Sequence, residues 1–377
     1  MEQKVFPIIF KPRRVPHMPQ LRRISVLALT GLGASLFAIT ATTPARAVSI
    51  PISESNLFIL DVSGSTNSVE LWKNLKVSLT SKLSQPFGNP ISKSIARKYP
   101  VDVSITSISQ NSQNSPVFTI VSKSDAKQIW GAVEQVFPDS TDKRLKAITT
   151  ELFGENGPWA SQAKIFTRSK IVIPTAAACK KSTLYSINKG SFLRNTDEEN
   201  KLALSGAICG KVISIAKNLK QADDYFSKPL CDKRAICSDI AGAIYRATNL
   251  AADLASQERD RVNGKDVTPK LCIAIASDML NESPGMSQAS KLNSKRIAIT
   301  ASSLAEAKSA GIAAAKSVGI SFPAGISVRA VMVGIGSGPK PIALDRNSYL
   351  LSYWEGFWTE SGVKETNQAQ SLNQACS

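Results

Sequence analysis

The sequence predicts an α/β fold, a doubly wound and mostly parallel sheet flanked by helices and enlarged by a long cysteine-containing insertion. Three observations carry that expectation. Leu57–Leu60 and Leu271–Ala276 are short apolar runs, as expected of strands buried on both faces. Each run delivers an acidic residue at its end, Asp61 and Asp278. Segments with 3.6-residue apolar spacing alternate with the strand-like runs, as crossover helices do between parallel strands.

Taken in order, the first strand leads into Ser68–Leu83, where Val69, Trp72, Leu75, Leu79 and Leu83 mark a helix. Val101–Ile108 alternates like a strand, and Pro116–Val121 reads as its neighbour across the polar turn SQNSQNS. Ser124 or Asp125 is placed to cap a helix running through Ile129, Trp130, Val133 and Phe137. Residues 141–236 form the insertion, mostly helical, within which Lys170–Pro174 is a candidate core strand. Ile240, Ala243, Ile244 and Ala247 open a further helix with Ser238 or Asp239 as its N-cap. Leu304–Val318 is an alanine-rich helix and Ile326–Ile335 the final strand. Gly334, Gly336 and Gly338 give G-x-G-x-G, but Pro339 and Pro341 follow where a dinucleotide site needs a helix, so the glycines read as a strand exit. Tyr349, Leu350, Tyr353, Trp354, Phe357 and Trp358 then mark a closing helix over 348–362 that packs on the sheet.

Within the 377 residues, the first 47 stand apart. Leu21-Arg22-Arg23, the apolar stretch Ile24–Ile39 and Ala45-Arg46-Ala47 read as a secretory signal peptide cleaved after Ala47. Starting at Met18 rather than Met1 gives that peptide an ordinary length. The expectation is therefore a secreted or periplasmic domain over 48–377, touching the membrane only transiently through its signal. Without Glu2 and the basic residues of that segment, 39 basic and 28 acidic residues remain, a net charge of +11. Such a balance favours anionic partners, but the lysines are scattered and no nucleic-acid motif accompanies them.

The one histidine, His17, lies in the predicted signal segment. That excludes Ser-His and Cys-His nucleophile pairs and His-ligated zinc from the exported part. Ser161-Gln162-Ala163-Lys164 matches S-x-x-K, a pattern expected by chance in a chain rich in Ser and Lys. The six cysteines of an exported chain imply disulfides. Cys231 with Cys237 and Cys179 with Cys209 are the expected pairs, leaving Cys272 as a buried thiol and Cys376 on a mobile tail.

After the first strand the chain reads Asp61-x-Ser63-x-Ser65. Three hard oxygen donors so close together suit Mg²⁺ or Mn²⁺. Ser238-Asp239 before a helix and Asp278 at a strand end complete a pattern that resembles the metal-ion-dependent adhesion site of the von Willebrand factor A domain family. The resemblance implies a Rossmann-like fold in which Ser63 and Ser65 bind the cation directly. Ser238 would stand in for the family's threonine, and Asp61 and Asp278 would act mostly through water. It also implies one open metal position, filled by a carboxylate of a partner. Thr141-Asp142 is a competing hydroxyl-acid pair, closer in spacing to Asp61; the distance to Asp278 and the small-residue helix favour Ser238.

The expected function is a non-enzymatic binding module that grips an acidic protein or envelope polymer through Mg²⁺ or Mn²⁺. An envelope assembly or secretion factor with a structural metal is the alternative. A metal-assisted enzyme is disfavoured, because Asp61 and Asp278 are committed to the metal and only Asp239 is left as a base.

Overall fold

The computed structural model describes residues 54–62, 68–84, 100–109, 111–138, 140–168, 170–228, 238–256, 261–262, 265–266, 268–281, 292, 294–336, 343–372 and 374–376. The predicted signal segment, Ser63, Ser65, Cys231 and Cys237 lie outside them.

Along the chain run β1 (Glu54–Asp61), α1 (Ser68–Ser84), β2 (Pro100–Ile108), β3 (Phe118–Val121) and α2 (Lys123–Val136). The insertion follows as α3 (Asp142–Phe153), α4 (Pro158–Ala163), α5 (Ala176–Ile187) and α6 (Glu198–Phe226). Then come α7 (Ile240–Ser256), β4 (Arg261–Val262), β5 (Lys265–Asp266), β6 (Lys270–Ala276), α8 (Ser294–Thr300), α9 (Leu304–Val318), β7 (Ser327–Val333), α10 (Asn347–Glu360) and β8 (Glu365–Ala369).

The main sheet has the order β3-β2-β1-β6-β7-β8, with β4 and β5 forming a separate hairpin. Every pair in the main sheet is parallel except β2 with β3. Central β1 is buried at all eight positions, and burial on both faces is why Leu57–Leu60 is a continuous apolar run rather than an alternating one. From β1 the chain winds outward to β2 and β3; from β6 it winds the other way to β7 and β8. The winding therefore reverses between β1 and β6, and at such a switch point the carboxyl ends of the strands open a crevice.

Alternate strand residues feed two cores. Phe58, Leu60, Ala274 and Val331 face one core, with α1, α2 and the insertion. Leu57, Ile59, Ile273 and Ala330 face the other, with α7, α9 and α10. The spine of the insertion is α6, whose buried stripe Ile208, Val212, Ile215, Leu219 and Phe226 holds 3.6-residue spacing against the first core.

Four expectations need correction. Lys170–Pro174 is not a strand: Ile171 is buried, but Val172 and Ile173 are exposed and no regular structure forms. The cap of α2 is Ser122, whose hydroxyl accepts from the Asp125 amide while the Asp125 carboxylate accepts from the Ser122 amide. Cys179 does pair with Cys209, but Cys272 is not a free thiol, because it is bonded to Cys376, 104 residues away. The chain also adds an edge strand after the closing helix: β8, sequence ETNQA, pairs with β7.

Candidate functional site

Three segments meet at the carboxyl end of β1. In register, Leu60 pairs with Ala276 of β6 and Asp61 with Ile108 of β2, so the exits of both neighbouring strands flank Asp61. Its side chain is fully buried, and its Oδ2 accepts from the Ser277 hydroxyl at 2.7 Å. That hydroxyl in turn accepts from the Met279 amide at 3.0 Å.

Residues 277–281, leaving β6, are held from several sides. The Asp278 Oδ1 accepts from the Leu280 amide (3.0 Å) and its carbonyl from the Gly336 amide at the exit of β7 (2.9 Å). The Met279 carbonyl accepts from the Ser294 hydroxyl and the Trp354 indole, both at 3.0 Å. Met279 itself has φ +61°, a left-handed conformation that costs on the order of 1 kcal/mol and is tolerated where surrounding bonds fix it. The loop is a braced platform beside Asp61.

Ser238, Asp239 and Ile240 cross the tip of β1 from the other direction. The Asp239 amide donates to the Ser109 carbonyl just past β2 (3.1 Å). The Ile240 amide donates to the Asn281 Oδ1 past β6 (3.0 Å). The segment thus spans the gap between the two exits, with Ser238 and Asp239 buried. The Asp239 carboxylate caps α7 by accepting from the Gly242 amide (2.9 Å) and also accepts from the Ser112 amide (2.9 Å). Burial pushes its carboxyl above the usual range, and the two amide bonds pull it partway back. A Cβ at residue 242 would run into that carboxylate, so glycine is needed there.

The structure therefore gathers Asp61, Asp278 and the Ser238 segment at one strand end. Thr141 is elsewhere employed: it is exposed and caps α3, its hydroxyl accepting from the Arg144 amide at 3.4 Å. Ser277 and Asn281 were missed in the sequence, although a hydroxyl directly before Asp278 and an amide three residues after it were visible signals. Among the described residues no group of three or more His, Cys, Asp and Glu side chains is placed to hold a metal ion. Any cation here would rest on hydroxyls as well as carboxylates, an all-oxygen set suited to a hard divalent ion.

No family model matches the chain, and neither the curated proteins nor the solved structures contain a match to it.

Proposed function

We propose that the chain is an exported binding module, in which Mg²⁺ or Mn²⁺ at the tip of β1 engages a carboxylate on a protein or envelope polymer. Ser63, Ser65 and Ser238 would bind the ion, and Asp61 and Asp278 would hold its water shell. The ion's chemistry is electrostatic capture of an anion, since few direct carboxylate ligands leave it short of negative charge. One observation carries this reading: the Ser238–Ile240 segment crosses the tip of β1 between the exits of β2 and β6, beside Asp61 and Asp278. Two disulfides support an oxidising compartment.

The test is retention of the chain from Val48 onward on poly-glutamate resin, in salt high enough to screen its basic surface. Retention is expected with Mg²⁺ or Mn²⁺, and is lost in EDTA and in Asp61→Ala protein that circular dichroism shows to be folded at the assay temperature. Retention indifferent to metal contradicts the reading. Metal-dependent melting without any retention would favour a structural ion instead.

A further inference from the structure

The insertion presents an exposed face that combines cations with apolar and aromatic side chains. Cys179, Thr183 and Ile187 form the buried side of α5, with Cys179 bonded to Cys209 of α6. On the opposite side, Lys181 and Tyr185 are exposed one turn apart, and the Lys189 ammonium lies 4.2 Å from the Tyr185 ring centroid. These positions, four residues apart, make a cation–aromatic–cation line along the helix and just past its end.

Apolar groups flank that line at both ends. Val172 and Ile173, 53% and 37% exposed, precede α5, and Phe192, 50% exposed, follows it. With Tyr185 they account for four of the eleven exposed large apolar side chains described, concentrated in residues 172–192 rather than scattered singly. The charge is equally one-sided. Between Glu155 and Asp197 the chain has no acidic residue, while Arg168, Lys170, Lys180, Lys181, Lys189 and Arg194 are all exposed. Of the carboxylates near the border, Glu151 accepts from the Phe192 amide (2.9 Å) and Glu198 pairs with Lys201 (2.8 Å), while exposed Glu155 lines one cavity with Lys189 and Phe192.

We propose that this face docks on an anionic lipid bilayer. An excess of exposed cations calls for a negatively charged partner. A soluble polyanion would use only the charges and leave Val172, Ile173, Tyr185 and Phe192 in water. A bilayer takes both, with ammonium groups at the phosphates and the apolar and aromatic tips in the interfacial layer. The twelve-residue α5 is about 18 Å long, which sets the distance between the apolar groups that flank it. The disulfide to α6 fixes the helix to the core and keeps the face turned outward.

The test is co-sedimentation of the chain from Val48 onward, which contains every described element, with vesicles of phosphatidylcholine alone or mixed with phosphatidylglycerol. Binding is expected only with phosphatidylglycerol, is unaffected by EDTA, and weakens in Lys181→Ser/Lys189→Ser by about 30-fold. Tyr185→Ser/Phe192→Ser also weakens it, and circular dichroism of both variants matches the parent because all four side chains are exposed. No binding to phosphatidylglycerol vesicles, or binding by both double variants that equals the parent's, overturns the proposal. Binding to soluble polyphosphate that needs the lysines but not the aromatics overturns it too, in favour of a polyanion. Persistence in EDTA separates this surface from the β1 site, whose failure would leave it standing.

Discussion

On the side of the sheet covered by α7, α9 and α10, helix meets helix through small residues. A Cβ at Gly311 of α9 would strike the Tyr353 carbonyl of α10, and one at Gly356 would strike the Lys308 carbonyl. Trp354 and Trp358 then fill the space beneath. The side covered by α1, α2 and the insertion is fastened differently. Both described disulfides lie there. The Asp223 carboxylate of α6 accepts from the Trp72 indole and the Lys76 ammonium, each at 2.7 Å. Lys211 pairs with Asp125 at 2.8 Å, and the Asn218 amide donates to the Thr119 carbonyl at 2.8 Å. Both faces are packed with apolar side chains, and the face that carries the insertion adds covalent and polar ties. An insertion that must find one seat on an apolar surface gains orientation from such ties, because apolar contact alone is non-directional.

The largest test of that contrast is oxidation. Cys272→Ala/Cys376→Ala opens a loop of 104 residues, for which chain entropy predicts a loss of about 4.7 kcal/mol. The corresponding Cys179 and Cys209 pair closes 30 residues and is expected to cost about 3.5 kcal/mol. Calorimetric melting with and without reductant checks both, and reduced protein that melts unchanged would break the comparison.

On the opposite face, Gly311→Val forces the α9–α10 crossing apart and is expected to cost about 3 kcal/mol, equally in oxidised and reduced protein. A milder cut at the polar ties is Asp223→Ala, which removes the acceptor of the buried Trp72 indole and the carboxylate paired with Lys76. About 2 kcal/mol is expected in urea unfolding. Leu219→Ala nearby on α6 would report apolar burial alone and calibrates the reading.

The smallest effect concerns pH. The Glu306 carboxylate at the start of α9 accepts from the Ser302 hydroxyl (2.6 Å) and amide (2.7 Å), which hold its pKa below the usual value. A lowered carboxyl stabilises above its ordinary titration range and loses that contribution as pH falls through the lowered value. Melting followed from about pH 5 to about pH 3 should therefore show a slight acid-side drop that is missing in Glu306→Gln.

Most of the sheet was readable because burial on both faces leaves a mark: β1, β6 and β7 each contain an apolar run, and α1, α9 and α10 keep helical periodicity. What escaped lacked that mark. The edge strand β8 has ETNQA for its sequence and owes its place to backbone pairing with β7, which no side-chain pattern announces. Val172 and Ile173 looked like a strand interior, yet only Ile171 turns inward before Pro174. Cys272 resembled a buried thiol because its partner arrives from the far end of the chain. At the site, Asp61, Ser238 and Asp278 were legible as a spaced motif, whereas the bracing by Ser277, Asn281 and Ser294 depends on loop conformations that spacing does not encode.

The measurement that bears most directly on the proposed site is Mn²⁺ and Mg²⁺ binding by calorimetry. It compares the chain from Val48 onward with Ser63→Ala/Ser65→Ala and Asp278→Ala. Micromolar-to-millimolar binding that disappears in the serine double variant and weakens at least tenfold in Asp278→Ala is the expected result. Binding left intact in all three would mean that the tip of β1 holds no cation, and the proposed mode of ligand capture would fail with it.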